Sequence, residues 1–235
     1  MIFDGHSDIF SDVRYKREAG ETQVLKNHHL DRLRKGGIGG ACFVIWADTY
    51  NGHAPKDEME AIVKGIKGEM AETKEFVLIH NVEELKAAEA AGKFAILLGI
   101  EGLAGIGEDL SKIDELYDLG ARHAMLTWNE ENALATGVKG DPNRGVTELG
   151  KQAIKKLQEK KMILDVSHIN EKSFWDVIDL AIGPILASHS NAKALASAAR
   201  NLTDDQLRAI RDTNGLVGLN AFGDFISDNK AEQDV

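Results

Sequence analysis

The stretch Phe3-Asp4-Gly5-His6-Ser7-Asp8-Ile9-Phe10 sets an imidazole and a carboxylate two residues apart at the end of a short apolar run. In extended backbone, residues i and i+2 project from one face, so His6 and Asp8 aim a nitrogen and an oxygen donor at one point. A divalent cation is held that way, although a solvated strand can also carry two polar side chains so. The same ending recurs along the chain. Glu101 closes AILLGIE, His168 closes MILDVSH and His189 closes PILASH. Imidazole with carboxylate is a donor set for zinc, and less specifically for manganese or iron. His6, Asp8, Glu101, His168 and His189 are too many for one tetrahedral zinc with an open position. They suit two ions about 3.5–4 Å apart that share a bridging carboxylate and a hydroxide nucleophile.

The remaining histidines lack this placement. His28 and His29 precede a helical segment, His53 lies in a loop, His80 ends an apolar run and His123 begins one, so all five read as structural or solvated. Asp4 reads as a structural residue or turn former. Phe43, Trp46 and Met125 read as packing.

The elements that must position these ligands are short apolar runs alternating with segments of helical period. Strands are expected at Ile2–Asp8, Ala41–Trp46, Ala95–Glu101, His123–Trp128, Met162–His168, Pro184–His189 and Leu216–Ala221. Most are apolar until their last residues, as parallel strands covered on both faces are. Lys56–Lys74 is the longest amphipathic helix. Asn81-Val82-Glu83-Glu84 and Thr203-Asp204-Asp205-Gln206 read as capped helix starts, and Gly36, Gly92, Gly120 and Gly215 stand where helices should stop. No linker or repeat interrupts the rhythm, so residues 1–235 are expected to form a single α/β domain. A doubly wound sheet and a (β/α)8 TIM-type barrel both fit. The barrel is favoured by the absence of a glycine-rich phosphate loop after the first strand. The polar residues at several C-terminal strand ends, where barrels place their chemistry, point the same way. Only seven strands are counted, so the barrel is expected to lack its last βα unit.

Composition narrows the function classes. Of 235 residues 43% are hydrophobic and 28% charged, with a net charge of −10 and a pI of about 5.3. Lysines and arginines are scattered among acids, so no nucleic-acid partner is expected. Neither a membrane span nor a signal peptide is read, and Cys42 is the only cysteine, which excludes an internal disulfide and fits a cytoplasmic location.

Five segments, taken in order, carry a resemblance: Asp4-Gly5-His6-Ser7-Asp8, Gly99-Ile100-Glu101-Gly102, Asp165-Val166-Ser167-His168, Ser188-His189-Ser190-Asn191-Ala192 and Arg200-Asn201-Leu202-Thr203. Together they resemble the membrane dipeptidase (renal dipeptidase) family of zinc peptidases, an amidohydrolase-type (β/α)8 barrel with two Zn2+. The resemblance implies His6, Asp8 and Glu101 on one zinc, Glu101 bridging as the catalytic carboxylate, and His168 with His189 on the other. It implies a small dipeptide substrate, with a D-residue tolerated at the C-terminal position. Arg200 would bind the substrate carboxylate, which a guanidinium fork matches bidentately. It allows a homodimer, and because no run approaches a membrane span no membrane partner is expected.

Two departures stand out. Where many members carry a histidine in a Leu-Thr-His context, this chain has Leu126-Thr127-Trp128. Indole cannot donate a proton as imidazolium does, so Trp128 and neighbouring Asn129 are expected to contact substrate instead. The family's eighth strand carries an aspartate that orients the bridging water, and the chain ends before it. Two alternatives therefore stay open: a catalytically impaired zinc-binding or assembly subunit, and an amidohydrolase-type hydrolase of lactones or N-acyl amino acids.

Overall fold

Parallel pairing begins with a defect that matters later. Strand β1 (Ile2–Ser7) runs beside β2 (Ile38–Trp46), with Asp4 opposite Ala41 and Ser7 opposite Phe43, so three steps on β1 match two on β2. The extra residue is a bulge containing Gly5 and His6, a device that bends a strand and re-aims its side chains. The computed structural model describes residues 1–47, 52–229 and 233. They fall into two compact units, residues 1–123 and 124–235.

In the first unit, helix α1 (Ile9–Glu18) follows β1, and α2 (Asp31–Lys35) precedes β2. Then come α3 (Pro55–Glu72), β3 (Phe76–Leu78), α4 (Val82–Ala90), β4 (Phe94–Glu101) and α5 (Lys112–Leu119). The sheet order is β1-β2-β4-β3, all parallel. Ala41–Ile45 of β2 is buried on both faces, which accounts for its unbroken apolar run. Phe43 meets Phe10 of α1 edge-on and stacks on Phe94 of β4, each with ring centroids 5.5 Å apart. Met59, Ile62 and Ile66 of α3 lie at helical spacing and are all buried, each contributing roughly 1.5–3 kcal/mol. A carboxylate also sits inside. Glu69 is fully buried, accepts from the Leu25 backbone N–H and the Thr73 hydroxyl at 2.8 Å each, and pairs with Arg17 at 3.1 Å.

The second unit holds most of β5 (His123–Met125), then α6 (Glu148–Glu159), β6 (Ile163–Asp165), α7 (Glu171–Leu180) and β7 (Ile185–Ala187). It closes with α8 (Asp204–Asp212), β8 (Leu216–Val217) and the single turn α9 (Gly223–Ile226). Its sheet order is β5-β6-β7-β8, and the β6–β7 and β7–β8 pairs are parallel. Ala153, Ile154 and Leu157 of α6, Phe174 and Val177 of α7 and Ile210 of α8 are buried.

The expected helix starts are present: Asn81 accepts from the Glu84 backbone, and Thr203 and Gln206 form a reciprocal capping box. Lys56–Lys74 is found as Pro55–Glu72. Gly120 caps α5 in the left-handed region at φ 118°. Eight strands are seen among the described residues, one more than the seven expected. The extra one is β3, three residues long, on the edge of β4 that Ala121 also meets through Leu98. Strands β5, β6 and β7 are shorter than expected. Beyond Asp165, for example, the backbone turns so that the Ser167 N–H reaches the Asp165 carboxylate at 2.8 Å. The polar tail falls partly outside the described residues. The α/β class with parallel sheets is as expected, and among the described residues no helix is long and apolar enough to cross a membrane.

Candidate metal centre

The first unit carries three of the five candidate ligands. His6 lies in the bulge of β1, Asp8 immediately follows that strand at the start of α1, and Glu101 is the last residue of β4. Asp4 accepts from the His6 backbone N–H at 3.2 Å and so steadies the bulge. His6 Nε2 lies 3.4 Å from Glu101 Oε2 and 3.7 Å from Asp8 Oδ1. The i, i+2 convergence is real, although it arises from a bulge and a helix start instead of a regular strand.

Glu101 is brought here by tight packing of β4. In register it lies opposite Trp46. Two residues earlier, Gly99 passes so close to its neighbours that an added Cβ would lie 2.5 Å from His123 Nδ1 and 2.8 Å from Cys42 Sγ. Burial pushes the Glu101 carboxyl up to about 7 against the opposing pull of His6. Burial acts downward on His6, but hydrogen bonds and charge from Asp8 and Glu101 outweigh it and push the imidazole up to about 10. The cluster therefore retains a proton at neutral pH, which a bound cation would displace.

The second unit carries His168 and His189, on the turns three residues beyond β6 and two beyond β7. Their rings are 4.8 Å apart, with Nε2 facing Nε2 at 2.7 Å. The outer nitrogens are held by oxygens: His168 Nδ1 lies 2.9 Å from Asn129 Oδ1 and His189 Nδ1 2.8 Å from Ser188 Oγ. An amide oxygen only accepts, so His168 carries its proton on Nδ1 and turns the Nε2 lone pair inward. The two inner nitrogens lie at hydrogen-bonding distance, and rings supported from outside in this way are placed to ligate a cation between them once they part. The residues in both clusters thus fit zinc by donor chemistry, borderline nitrogen with hard oxygen.

The expected substrate contacts lie in the second unit. Arg200 is buried; its guanidinium reaches the His189 carbonyl at 3.4 Å and Ser190 Oγ at 3.5 Å, both long for charge-assisted bonds. Trp128 lies with its ring 6.1 Å from that of His168 and with the Lys139 ammonium 5.6 Å above it. Asn129 supports His168 directly, a placement for which the sequence offered no signal. Of the remaining histidines, His28 pairs with Glu21, His29 with Asp12 and His80 with Glu84, and His123 is fully buried.

The sequence profile of the membrane dipeptidase family, peptidase family M19, matches residues 1–234. The chain belongs to that family. An uncharacterised protein of Acinetobacter calcoaceticus is 31% identical over 93% of this chain and 79% of its own length. An uncharacterised dipeptidase of Schizosaccharomyces pombe is 29% identical over 96% of this chain, which spans 60% of that relative's length. Among solved structures, a metallopeptidase from Rhodobacter sphaeroides, liganded with a phosphinate mimic of the dipeptide L-Ala-D-Ala, superposes with a TM-score of 0.87 at 26% identity. That match covers 98% of this chain and 76% of the other. As a membrane dipeptidase family member the chain is a metallo-dipeptidase by family.

Proposed function

We propose that this chain hydrolyses dipeptides with two zinc ions held by His6, Asp8, Glu101, His168 and His189, and that it tolerates a D-residue at the C-terminal position. The observation that carries the reading is the facing Nε2 pair of His168 and His189, each ring fixed from behind, in a family whose Rhodobacter member binds a mimic of L-Ala-D-Ala. The proposal includes the (β/α)8 fold that the family resemblance implies, with Glu101 among the residues that would hold the ions. Bound zinc supplies a Lewis acid for the scissile carbonyl and lowers the pKa of bound water.

The chain's own residues do the rest. Glu101, low in charge affinity because it is buried, gains its anionic form on binding a cation and anchors it. Asp8 is half exposed on its side chain and supplies the ligand most open to substrate. Arg200 exchanges its long bonds to His189 and Ser190 for the substrate's carboxylate, which confines cleavage to very short peptides. Trp128 offers the substrate an aromatic face beside His168 and an indole N–H, but no acid able to protonate a leaving amine. That substitution favours a second reading, a zinc-binding chain with little turnover.

The test is hydrolysis of L-Xaa-D-Ala and L-Xaa-L-Xaa dipeptides by the zinc-loaded chain, with chelated and His189→Ala controls. Turnover lost in both controls is the expected result. Folded protein carrying two zincs without turnover would establish the second reading.

A further inference from the structure

Behind His189 the hydrogen bonds continue inward. Ser188 Oγ, which meets His189 Nδ1 at 2.8 Å, lies 3.4 Å from Ser167 Oγ, and Ser167 Oγ lies 2.7 Å from Asp165 Oδ1. All four residues are buried, and Asp165 is 1% exposed. The direction of this chain follows from its inner end. A carboxylate accepts only, so the Ser167 hydroxyl donates to Asp165. Its oxygen is then an acceptor, which the His189 backbone N–H uses at 3.2 Å and which lies within reach of the Ser188 hydroxyl. With the His189 Nε2 lone pair given to a cation, its Nδ1 carries the proton and donates to Ser188 Oγ, whose hydroxyl is then left to donate to Ser167 Oγ.

We infer that Asp165 is a positioning residue for the metal site: through Ser167 and Ser188 it fixes the tautomer and orientation of His189, as Asn129 does for His168. The deduction deepens the dipeptidase reading and rests on it for the identity of the cation. Asp165 also takes the backbone N–H groups of Ser167, at 2.8 Å, and Ser188, at 3.2 Å to Oδ2. One buried carboxylate thus ties the turn after β6 to the turn after β7, and so ties the two histidine-bearing segments to each other. Three donor groups, the Ser167 N–H and hydroxyl and the Ser188 N–H, converge on it, so the inner end of the relay is fixed and the imidazole at its far end is held in one orientation.

The test uses the full-length protein carrying Ser188→Ala, which breaks the relay and leaves the backbone bonds to Asp165, alongside Asp165→Asn. The readouts are the imidazole N–H resonances of 15N-labelled protein and the zinc dissociation constant from chelator competition. Wild-type protein is expected to show an exchange-protected His189 Nδ1–H signal. In Ser188→Ala that signal should be lost and zinc should bind about 10–100-fold more weakly, the range seen when partners outside the ligands are removed. Asp165→Asn should move both readouts in the same direction. If it fails to fold, Ser188→Ala alone decides. An unchanged signal together with unchanged zinc affinity in Ser188→Ala would overturn the inference. Should wild-type protein hold no zinc, the dipeptidase reading falls, and loss of the Nδ1–H signal in Ser188→Ala still supports the relay.

Discussion

His168 and His189 turn their Nε2 atoms toward each other at 2.7 Å, and each keeps its Nδ1 against an oxygen of another side chain. Without those outer oxygens either ring could rotate about χ2 or exchange tautomers, and the inward lone pairs would be present only part of the time. Asn129 is the outer partner of His168, so Asn129→Ala is expected to weaken zinc binding about 10–100-fold. The fold should be kept, since the side chain is only part-buried. Chelator competition measures the affinity and circular dichroism checks the fold. Wild-type affinity in Asn129→Ala would mean that packing against Trp128 and His189 suffices to hold the ring.

Metal uptake should release protons. Glu101 is raised to about 7 by burial, and His6 is raised to about 10 by its two carboxylate neighbours against burial. Both must be deprotonated to act as ligands. A group with a raised pKa holds its proton below that value, so the proton competes with zinc at neutral pH. Competition grows as pH falls and weakens as pH rises from about 7 toward 10. Zinc affinity is therefore expected to rise with pH across this window. Calorimetric titration in two buffers of different ionisation enthalpy counts the protons released, and the expected count at pH 7 is at least one. Zero release would show that the pair is already deprotonated before the ion arrives.

How legible these features were in the sequence depends on their physics. The long strands β2 and β4 announce themselves because both faces are covered and every residue before Glu101 is apolar. Glu101 is legible by contrast, a single polar residue after the apolar run of β4. Phe76–Leu78 carries no strand signal of its own, because three residues are too few to separate a strand from the end of any apolar run. The bulge at Gly5-His6 leaves no mark, since it depends on pairing with Gly40–Phe43 and not on local propensity. Asp165, Ser167 and Ser188 were visible only as letters beside two histidines. Which way a hydroxyl donates is fixed by neighbours far apart in sequence. For the same reason Asn129, expected against substrate, is placed behind His168.

Gly99→Ala tests the packing that delivers Glu101. The new methyl would lie 2.5 Å from His123 Nδ1, 2.8 Å from Cys42 Sγ and 3.0 Å from Val44 Cγ1, all in the buried interior of the first unit. None of these is the free end of a long side chain, so β4 must shift. Overpacking of this kind costs about 1–3 kcal/mol, which urea denaturation reads as a lower midpoint at constant slope. The shift should also move Glu101 and reduce zinc affinity in protein that is still folded. An unchanged midpoint would show that β2 and the start of β5 yield at little cost.

Arg200→Lys separates substrate binding from a purely structural role of this buried cation. Lysine keeps the charge but lacks the planar fork that matches a carboxylate at two oxygens. If Arg200 binds the C-terminal carboxylate equally in the ground and transition states, its loss raises KM and leaves kcat nearly unchanged. One charge-assisted bond is worth about 1.5–3 kcal/mol, so an increase in KM of roughly tenfold to a hundredfold is expected. A C-terminally amidated dipeptide is the control. It should be a poor substrate for the wild-type chain, and Arg200→Lys should change its hydrolysis little, because the partner group is already missing. The competing role is support of the turn after β7, through the His189 carbonyl and Ser190. In that case kcat falls for both substrates by the same factor and zinc affinity falls with it, because the turn carries His189. Steady-state kinetics on the two substrates, with zinc content measured in parallel, distinguishes the roles.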